Sequence, residues 1–336
     1  MHTPSPGRLS AVIVAGVVIV QALMLFAFAW PAVNSGPREV PVAVAGPPAA
    51  VEQVEASLAS APSPDEDVAA FEVTAVADEA AAVTAIEERE VYGAVVMTRD
   101  GPRLFVASAA GPAVAQMLRN AAAVLSEPGV GAPVEDVVPT TADDPTGAGL
   151  AAGVLPLVIT SAAGGLISAL ALRSTRLRLV AVTGITVLGG LVSAAVLQYA
   201  LGIVDASYLQ VAGAAALLIG AVAASVAGLG ALLGRAGGVL GLLTMIFVGN
   251  PLSAAASAPE MLPQPWGAVG QFLPPGAGVS ALRSVAFFDG AAATTPILVL
   301  SIWLAAGLVL LAVAGLWHRG PAPTTPASDR EVSAAV

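Results

Sequence analysis

The segment YLQVAGAAALLIGAVAASVAGLGALLG, residues 208–234, contains no charged residue. As a helix it is long enough to cross about 30 Å of hydrocarbon, the core of a bilayer. Similar apolar runs fill the stretch from Leu150 to Trp317, and the polar breaks divide it into five predicted spans, at residues 150–172, 179–201, 208–234, 237–258 and 295–317. Lipid offers no partner for a free backbone N–H or C=O group, so these runs are expected to be helical.

The overall composition is that of a membrane protein. Hydrophobic residues make up 57% of the chain and charged residues 11%, and the mean hydropathy is +0.85. These values lie far from those of soluble domains and predict a polytopic α-helical membrane protein. The chain has no cysteine, which excludes disulfides and thiolate metal sites.

Residues 1–33 predict a short cytoplasmic lead and a first transmembrane helix. The lead carries Arg8, and an apolar run follows from Leu9 to Val33. A cleaved signal peptide is the alternative, but its apolar core normally has about 7–15 residues, fewer than this run. An uncleaved helix is therefore the favoured interpretation, with Trp30 at its outer interface.

Residues 34–149 predict a separate acidic domain outside the bilayer. This part of the chain has 18 acidic residues against five arginines, a net charge of −13. Such acidity is typical of a solvated surface and by itself does not indicate a cation site. Alternating apolar residues and turn signals predict the order β-α-β-α-β-β-α-β, a small α/β sandwich, with strands at about 40–45, 71–76, 91–98, 103–108 and 134–138.

This domain contains no recognisable catalytic constellation. It lacks histidine and cysteine, and the acidic pairs Glu87-Glu88 and Asp143-Asp144 stand beside polar or turn residues. The Gly46-Pro47-Pro48 turn lacks the glycine pattern of a phosphate loop. We therefore expect no catalytic residue, no metal and no cofactor.

Arginines in the short loops predict the orientation in the cell membrane. The loops at 173–178 and 235 and the residues after the last span carry arginine, whereas the opposite loops carry Asp205, Glu260, Arg283 and Asp289. By the positive-inside rule the arginine clusters are cytoplasmic. Six helices with both termini in the cytoplasm and the acidic domain outside follow from this assignment.

The predicted spans are rich in small residues and hold no ionisable group well inside the bilayer. A carrier coupled to protons or ions would need such a group, so autonomous secondary transport is disfavoured. In the span at 208–234, Gly220, Ala224 and Gly228 fall four residues apart, and Gly230 with Gly234 repeats that interval. This pattern favours close helix packing within the bundle over a face specific to a dimer.

The stretch from about 259 to 290 predicts an interfacial or re-entrant segment. Asn250 and Pro251 should end the fifth helix, because Pro251 lacks a backbone N–H. Pro274, Pro275 and Gly276 then separate two apolar pieces, 266–273 and 279–288, that are too short to span, with Trp266, Phe272, Phe287 and Phe288 as anchors. Arg283 either lines this segment or snorkels to the interface.

The succession G-N-P-L-S-A (249–254), P-E-M-L-P (259–263), L-P-P-G-A (273–277), A-L-R-S (281–284) and F-F-D-G (287–290) resembles ABC-2 type transporter permeases, particularly the YhgE/Pip-like branch. The resemblance implies a homodimer, a separate ATPase subunit that drives export, and re-entrant segments on the outer side of the substrate path. The chain has no lysine and hence no G-x-x-x-x-G-K-[ST] loop, so nucleotide hydrolysis would belong to another polypeptide.

The chain departs from that family in its cytoplasmic segments. The lead has about ten residues and the loop at 173–178 about six, whereas such permeases usually offer longer segments to the ATPase. The expected function is that of the permease subunit of an exporter for a hydrophobic or amphiphilic substrate, not of an enzyme. The alternative is a non-transporting envelope protein whose outer domain binds a partner. The bilayer is an expected partner and nucleic acid is not.

Overall fold

The computed structural model describes residues 6–65, 67–125 and 133–317. The start of the predicted lead lies outside the described residues. So do residues 318–336, whose proline-, threonine-, alanine- and serine-rich sequence predicts a disordered cytoplasmic tail. The described chain is mostly helical with a small α/β region, and five of its helices are long and apolar enough to cross a membrane. The first, α1, spans Pro6–Val33.

The α/β region has the element order that the sequence predicts. Its elements are β1 Val40–Ala45, α2 Pro48–Ala59, β2 Phe71–Val76, α3 Glu79–Glu87, β3 Gly93–Thr98, β4 Gly101–Val106, α4 Pro112–Leu125 and β5 Val134–Asp136. Asp78 caps α3 by accepting a hydrogen bond from the Ala81 N–H at 2.9 Å. The strands form one sheet in the order β2-β1-β3-β4-β5, antiparallel only between β3 and β4.

The sheet is covered on both faces, as expected for strands that are mostly parallel. One core cluster packs Val42, Val44 and Leu104 against Leu58 of α2 and Leu118 of α4. The other packs the opposite side chains of β1 and β3 and Phe105 of β4 against Ala82 and Ile86 of α3. Alternation along each strand sends successive side chains to the two clusters.

The membrane part is built around a central helix, α7. Its helices are α5 Ala148–Ala171, α6 Thr175–Ala195, α7 Tyr208–Thr244 and α10 Thr294–Trp317, with π-helical turns Val196–Ala200 after α6 and Met245–Gly249 after α7. Alanine and glycine dominate the buried positions of α7. Small side chains let α5, α6 and α10 approach it closely, which is how apolar helices associate without a hydrophobic driving force.

Gly234 interrupts α7, with φ 71° and ψ −157°. Around this residue the chain folds back on itself, because a Cβ at Gly230 would lie 3.3 Å from Cα of Gly238, and one at Gly241 would lie 3.5 Å from Cα of Val226. Two helical segments therefore lie side by side. In the count of five long apolar helices given above, these two segments are counted together as one helix of 42 residues, Tyr208–Gly249.

The predicted helix at 237–258 is too long. The second segment of α7 ends at Gly249, and short 3-10 turns follow at Pro251–Ser253 and Pro259–Met261. From Gly237 to Gly249 the helix rises only about 20 Å, less than a full crossing. The end lies where Pro251 removes a backbone donor, as the sequence indicates.

Two further helices, α8 Trp266–Gln271 and α9 Pro274–Phe287, occupy the predicted re-entrant stretch. Most residues of α9 are buried on all sides, and a Cβ at Gly278 would lie 2.8 Å from a methyl group of Leu218 in α7. Trp303 of α10 donates a hydrogen bond from Nε1 to the Phe272 carbonyl at 2.8 Å. Thus α9 lies inside the protein and not on its surface.

Candidate functional site

The stretch that joins α7 to α10 contributes side chains to both cores of the α/β region. Ala258 and Met261 belong to the cluster under α2 and α4, and Phe288 belongs to the cluster under α3. Phe288 is 6% exposed, so its predicted role as a membrane anchor is wrong. The α/β region and the membrane helices therefore share a core at this junction.

Arg89 fastens the α/β region to α9. It follows α3 in a left-handed conformation, φ 62°, which directs its side chain toward the membrane part. There the Arg89 guanidinium donates hydrogen bonds to the Ser280 carbonyl at 3.2 Å and to the Ser284 hydroxyl. It also stacks 5.2 Å above the centre of the Phe288 ring.

Tyr92 and Glu260 form a second contact across the same junction. The Tyr92 hydroxyl donates a hydrogen bond to Oε2 of Glu260 at 2.8 Å. Burial, and then the neighbouring Glu260 carboxylate, raise the pKa of Tyr92 well above its ordinary value. Burial lowers the pKa of the Arg89 guanidinium, and Tyr92 and Glu260 oppose that shift.

Arg283 lies in the protein interior and does not snorkel. It is 4% exposed and donates a hydrogen bond to the Ala255 carbonyl at 3.0 Å. Arg89, Tyr92 and Glu260 are the titratable groups that interact electrostatically with it. Two guanidinium groups and one carboxylate thus lie near one another at the junction in a site largely removed from water, and among the described residues neither guanidinium forms an ion pair with Glu260.

The residues after α1 are tied to the same stretch. The backbone N–H groups of Gly36 and Arg38 bond the carbonyls of Met261 and Glu260, at 2.9 and 3.0 Å. The Arg38 side chain is 2% exposed and pairs with Asp65. This contact fixes the exit of α1 against the re-entrant stretch.

The structure brings the residues named from the sequence into two groups along α9. Near its start, Pro274, Pro275 and Gly276 are buried, and a Cβ at Gly249 would lie 2.7 Å from Pro275, so the Asn250-Pro251 break and the start of α9 are neighbours. Arg283 lies about two turns further along α9, beside the α/β region.

A large cleft opens where α9 ends. Its volume is about 1270 Å³, and it lies between the α/β region and the membrane helices. The charged residues among its described lining are all carboxylates: Glu87, Glu88, Asp143, Asp205 and Asp289. The backbone of 286–291, at the end of α9, forms one wall. Thr141 Oγ1 and Gln198 Oε1, atoms of two lining residues, are buried without a hydrogen-bond partner among the described residues.

Gly220, Ala224 and Gly228 all lie against α10, with Leu304 of that helix 3.3 Å from the Cβ position of Gly220, whereas Gly230 and Gly234 lie outside this face. A Cβ at Gly220 would lie 2.9 Å from Thr186 of α6, and one at Gly228 would lie 2.6 Å from the Gly307 carbonyl of α10. Ala224 is fully buried beside Gly307. Gly230 instead faces Ala169 of α5 and Gly238, and Gly234 belongs to the turn, with nothing within 4 Å of its Cβ position.

Sequence reasoning missed the contacts of Arg89, Tyr92 and Glu260. Between 168 and 195 residues separate the partners of these hydrogen bonds, and no local pattern links positions so far apart. Within the described residues no group of three or more His, Asp or Glu side chains is arranged to hold a metal ion. Comparison with known proteins gave no match to a protein-family profile, a curated protein or a solved structure.

Proposed function

We propose that this chain is the membrane subunit of an ABC-2 type exporter that moves a hydrophobic or amphiphilic substrate toward the outer leaflet. In this proposal the chain crosses the membrane six times, both termini are cytoplasmic, and the α/β region lies outside. The arginines at 173–178 and 235 support this orientation. The reversal at Gly234 supports counting α7 as two crossings.

The shortness of the second segment of α7 is compatible with a crossing. Residues 250–258 continue toward the α/β region without a regular helix, and Leu252, Ser253, Ala254 and Ala258 are buried in the protein. Irregular backbone is tolerated at membrane depth only where protein or a water-filled cavity surrounds it. Discontinuous helices of this kind are common along transport paths.

The observation that carries the proposal is the position of α9. Its start is packed among α7 and α10 inside the membrane part, and its end forms a wall of the acidic cleft. Arg89 of the α/β region donates a hydrogen bond to the Ser280 carbonyl of the same helix. A shift of α9 would therefore change the packing around Pro275 and the shape of the cleft together.

The cleft suggests the kind of substrate. The carboxylates among the described lining residues attract positive charge, and Tyr199 and Phe287 add aromatic surface. An amphiphile with a cationic group would suit both features. Energy would come from a separate ATPase subunit, since this chain has no nucleotide loop.

The proposal is tested by purification of the native complex and by export assays on variants. We expect a stoichiometric ATPase to co-elute in mild detergent. We expect Arg283→Gln to reduce export, while Arg99→Gln, an exposed arginine on the α/β region, leaves export unchanged. Thermal melts would verify that both variants fold. A stable native complex that lacks an ATPase but holds an envelope protein on the α/β region would favour the non-transporting alternative.

A further inference from the structure

A second cavity lies at the end of the bundle opposite the α/β region. Its volume is about 690 Å³, and it is bounded by the start of α6, the end of α10 and Ala231 of α7. Helix α5 runs from the α/β region for 24 residues before this cavity is reached, a rise of about 36 Å. The cavity therefore lies at the level of the far membrane surface.

The charged residues that line this cavity, within the part of the chain that the structure describes, are all basic. They are Arg173, Arg176 and Arg178. Among the described residues none of the three forms an ion pair. Arg178 donates from Nε to the Leu172 carbonyl at 2.8 Å, which holds it in place, whereas Arg173 and Arg176 are exposed.

Backbone groups add to this field. The cap residue Ser174 makes no side-chain hydrogen bond to the first turn of α6, so the N–H groups there are free of the usual cap. The start of a helix carries partial positive charge and favours an anion. The arginines and the helix terminus thus act in the same direction.

The surroundings of the cavity are apolar. Leu316 lines it and is 65% exposed, and Leu177 and Trp317 beside it are 53% and 76% exposed. In a membrane-embedded bundle these side chains face lipid tails or the interface, where tryptophan is favoured. Such an apolar wall would stabilise a bound acyl chain but not a small soluble anion.

We propose that this cavity binds the phosphate headgroup of an anionic phospholipid, with its acyl chains along Leu177 and Leu316. Basic pockets between membrane helices are suited to such headgroups, and guanidinium groups form strong bidentate bonds with phosphate. The inference requires only that the helices lie in a bilayer. It is independent of the export proposed above.

The test is the affinity of the purified full-length chain for phosphatidylglycerol and phosphatidylcholine, measured by native mass spectrometry in mild detergent. The wild type should prefer phosphatidylglycerol. The R173Q/R176Q variant should lose at least about tenfold in that affinity, and R173K/R176K, which keeps the charge but not the bidentate bonds, should lose less. Arg235→Gln is the matched control, because Arg235 is exposed at the same end of the bundle but outside the cavity, and it should change the affinity by less than about twofold.

Several results would overturn the proposal. These are equal affinity for the two lipids, an unchanged R173Q/R176Q variant, and an equal loss in R235Q, which would indicate general surface charge. Inorganic phosphate that raises the melting temperature as much as phosphatidylglycerol would make the ligand a free anion. An acidic protein that co-purifies and blocks lipid through the same arginines would make the cavity a protein-docking site.

Discussion

Replacing Arg89 with methionine should loosen α9 without unfolding the bundle. Methionine keeps an unbranched apolar stem of similar length but cannot bond the Ser280 carbonyl or the Ser284 hydroxyl, and it lacks the charge that stacks on Phe288. The left-handed backbone at this position is equally unfavourable for both side chains. The substitution therefore removes the hydrogen bonds and the cation–π contact of Arg89 without changing the strain of the backbone.

The expected magnitude follows from these contacts. A hydrogen bond from a charged donor contributes about 1.5–3 kcal/mol, and a cation–π contact adds about 0.5–1 kcal/mol. Burial lowers the pKa of Arg89, so desolvation offsets part of this gain. A net loss of about 2 kcal/mol is expected, which is roughly a 25-fold larger population of the loosened state.

Hydrogen exchange measured by mass spectrometry would report this change. Peptides covering α8 and α9 should exchange faster in Arg89→Met, and those from α5 and α6 should not change. Arg103→Met is the matched control, because Arg103 pairs with Glu79 and Glu135 and stacks 4.9 Å above Phe105, all within the α/β region. Unchanged exchange in α9, or equal acceleration there in Arg103→Met, would refute the reasoning.

Three further predictions concern stability, measured by melting the protein with tryptophan fluorescence. Gly307→Ala should cost about 1–3 kcal/mol, because its Cβ would lie 2.7 Å from a backbone oxygen of α7, whereas Gly213→Ala, with nothing within 4 Å, should be neutral or slightly stabilising. Gly234→Ala has equal space, so any cost, about 1–3 kcal/mol, would come from its backbone conformation alone. Tyr92→Phe should lower the free energy of unfolding through the lost hydrogen bond to Glu260. Because the folded-state pKa of Tyr92 is raised, the difference in stability between wild type and variant should be constant below about pH 10 and shrink above it. A stability difference that does not change with pH would contradict this.

The α/β region could be predicted closely because its signals are local. Alternation of apolar residues gives β1 and β2 the bounds that the sequence indicates, and Asp78 begins α3 by the capping chemistry expected of it. The turn at Arg99-Asp100, a pair followed by glycine and proline that is typical of a turn, joins the antiparallel strands β3 and β4. Each of these features depends on residues fewer than about ten positions apart.

The membrane part was harder to predict because hydropathy does not distinguish lipid from protein. Residues 250–258 are uncharged and rich in alanine, and they extend the predicted span at 237–258 although the helix ends at Gly249. The same ambiguity affects Phe288, which is buried beneath Arg89 and not in lipid. The spacing also assigned Gly234 to a packing face, whereas its φ of 71° places it in the turn. Glycine suits both close helix packing and a positive φ, so the sequence alone does not distinguish the two roles.

The junction explains why an arginine can lie in α9. An isolated guanidinium inside an apolar bundle would be costly, and sequence reasoning accordingly favoured a snorkelling side chain. The structure instead supplies Glu260, Tyr92 and the Ala255 carbonyl from segments that flank or cover α9. Since the α/β region provides part of this polar environment, α9 and the α/β region should be stable only together. Loss of either set of contacts should therefore leave Arg283 without part of its polar surroundings, so a movement of the α/β region at this junction should change the packing of α9.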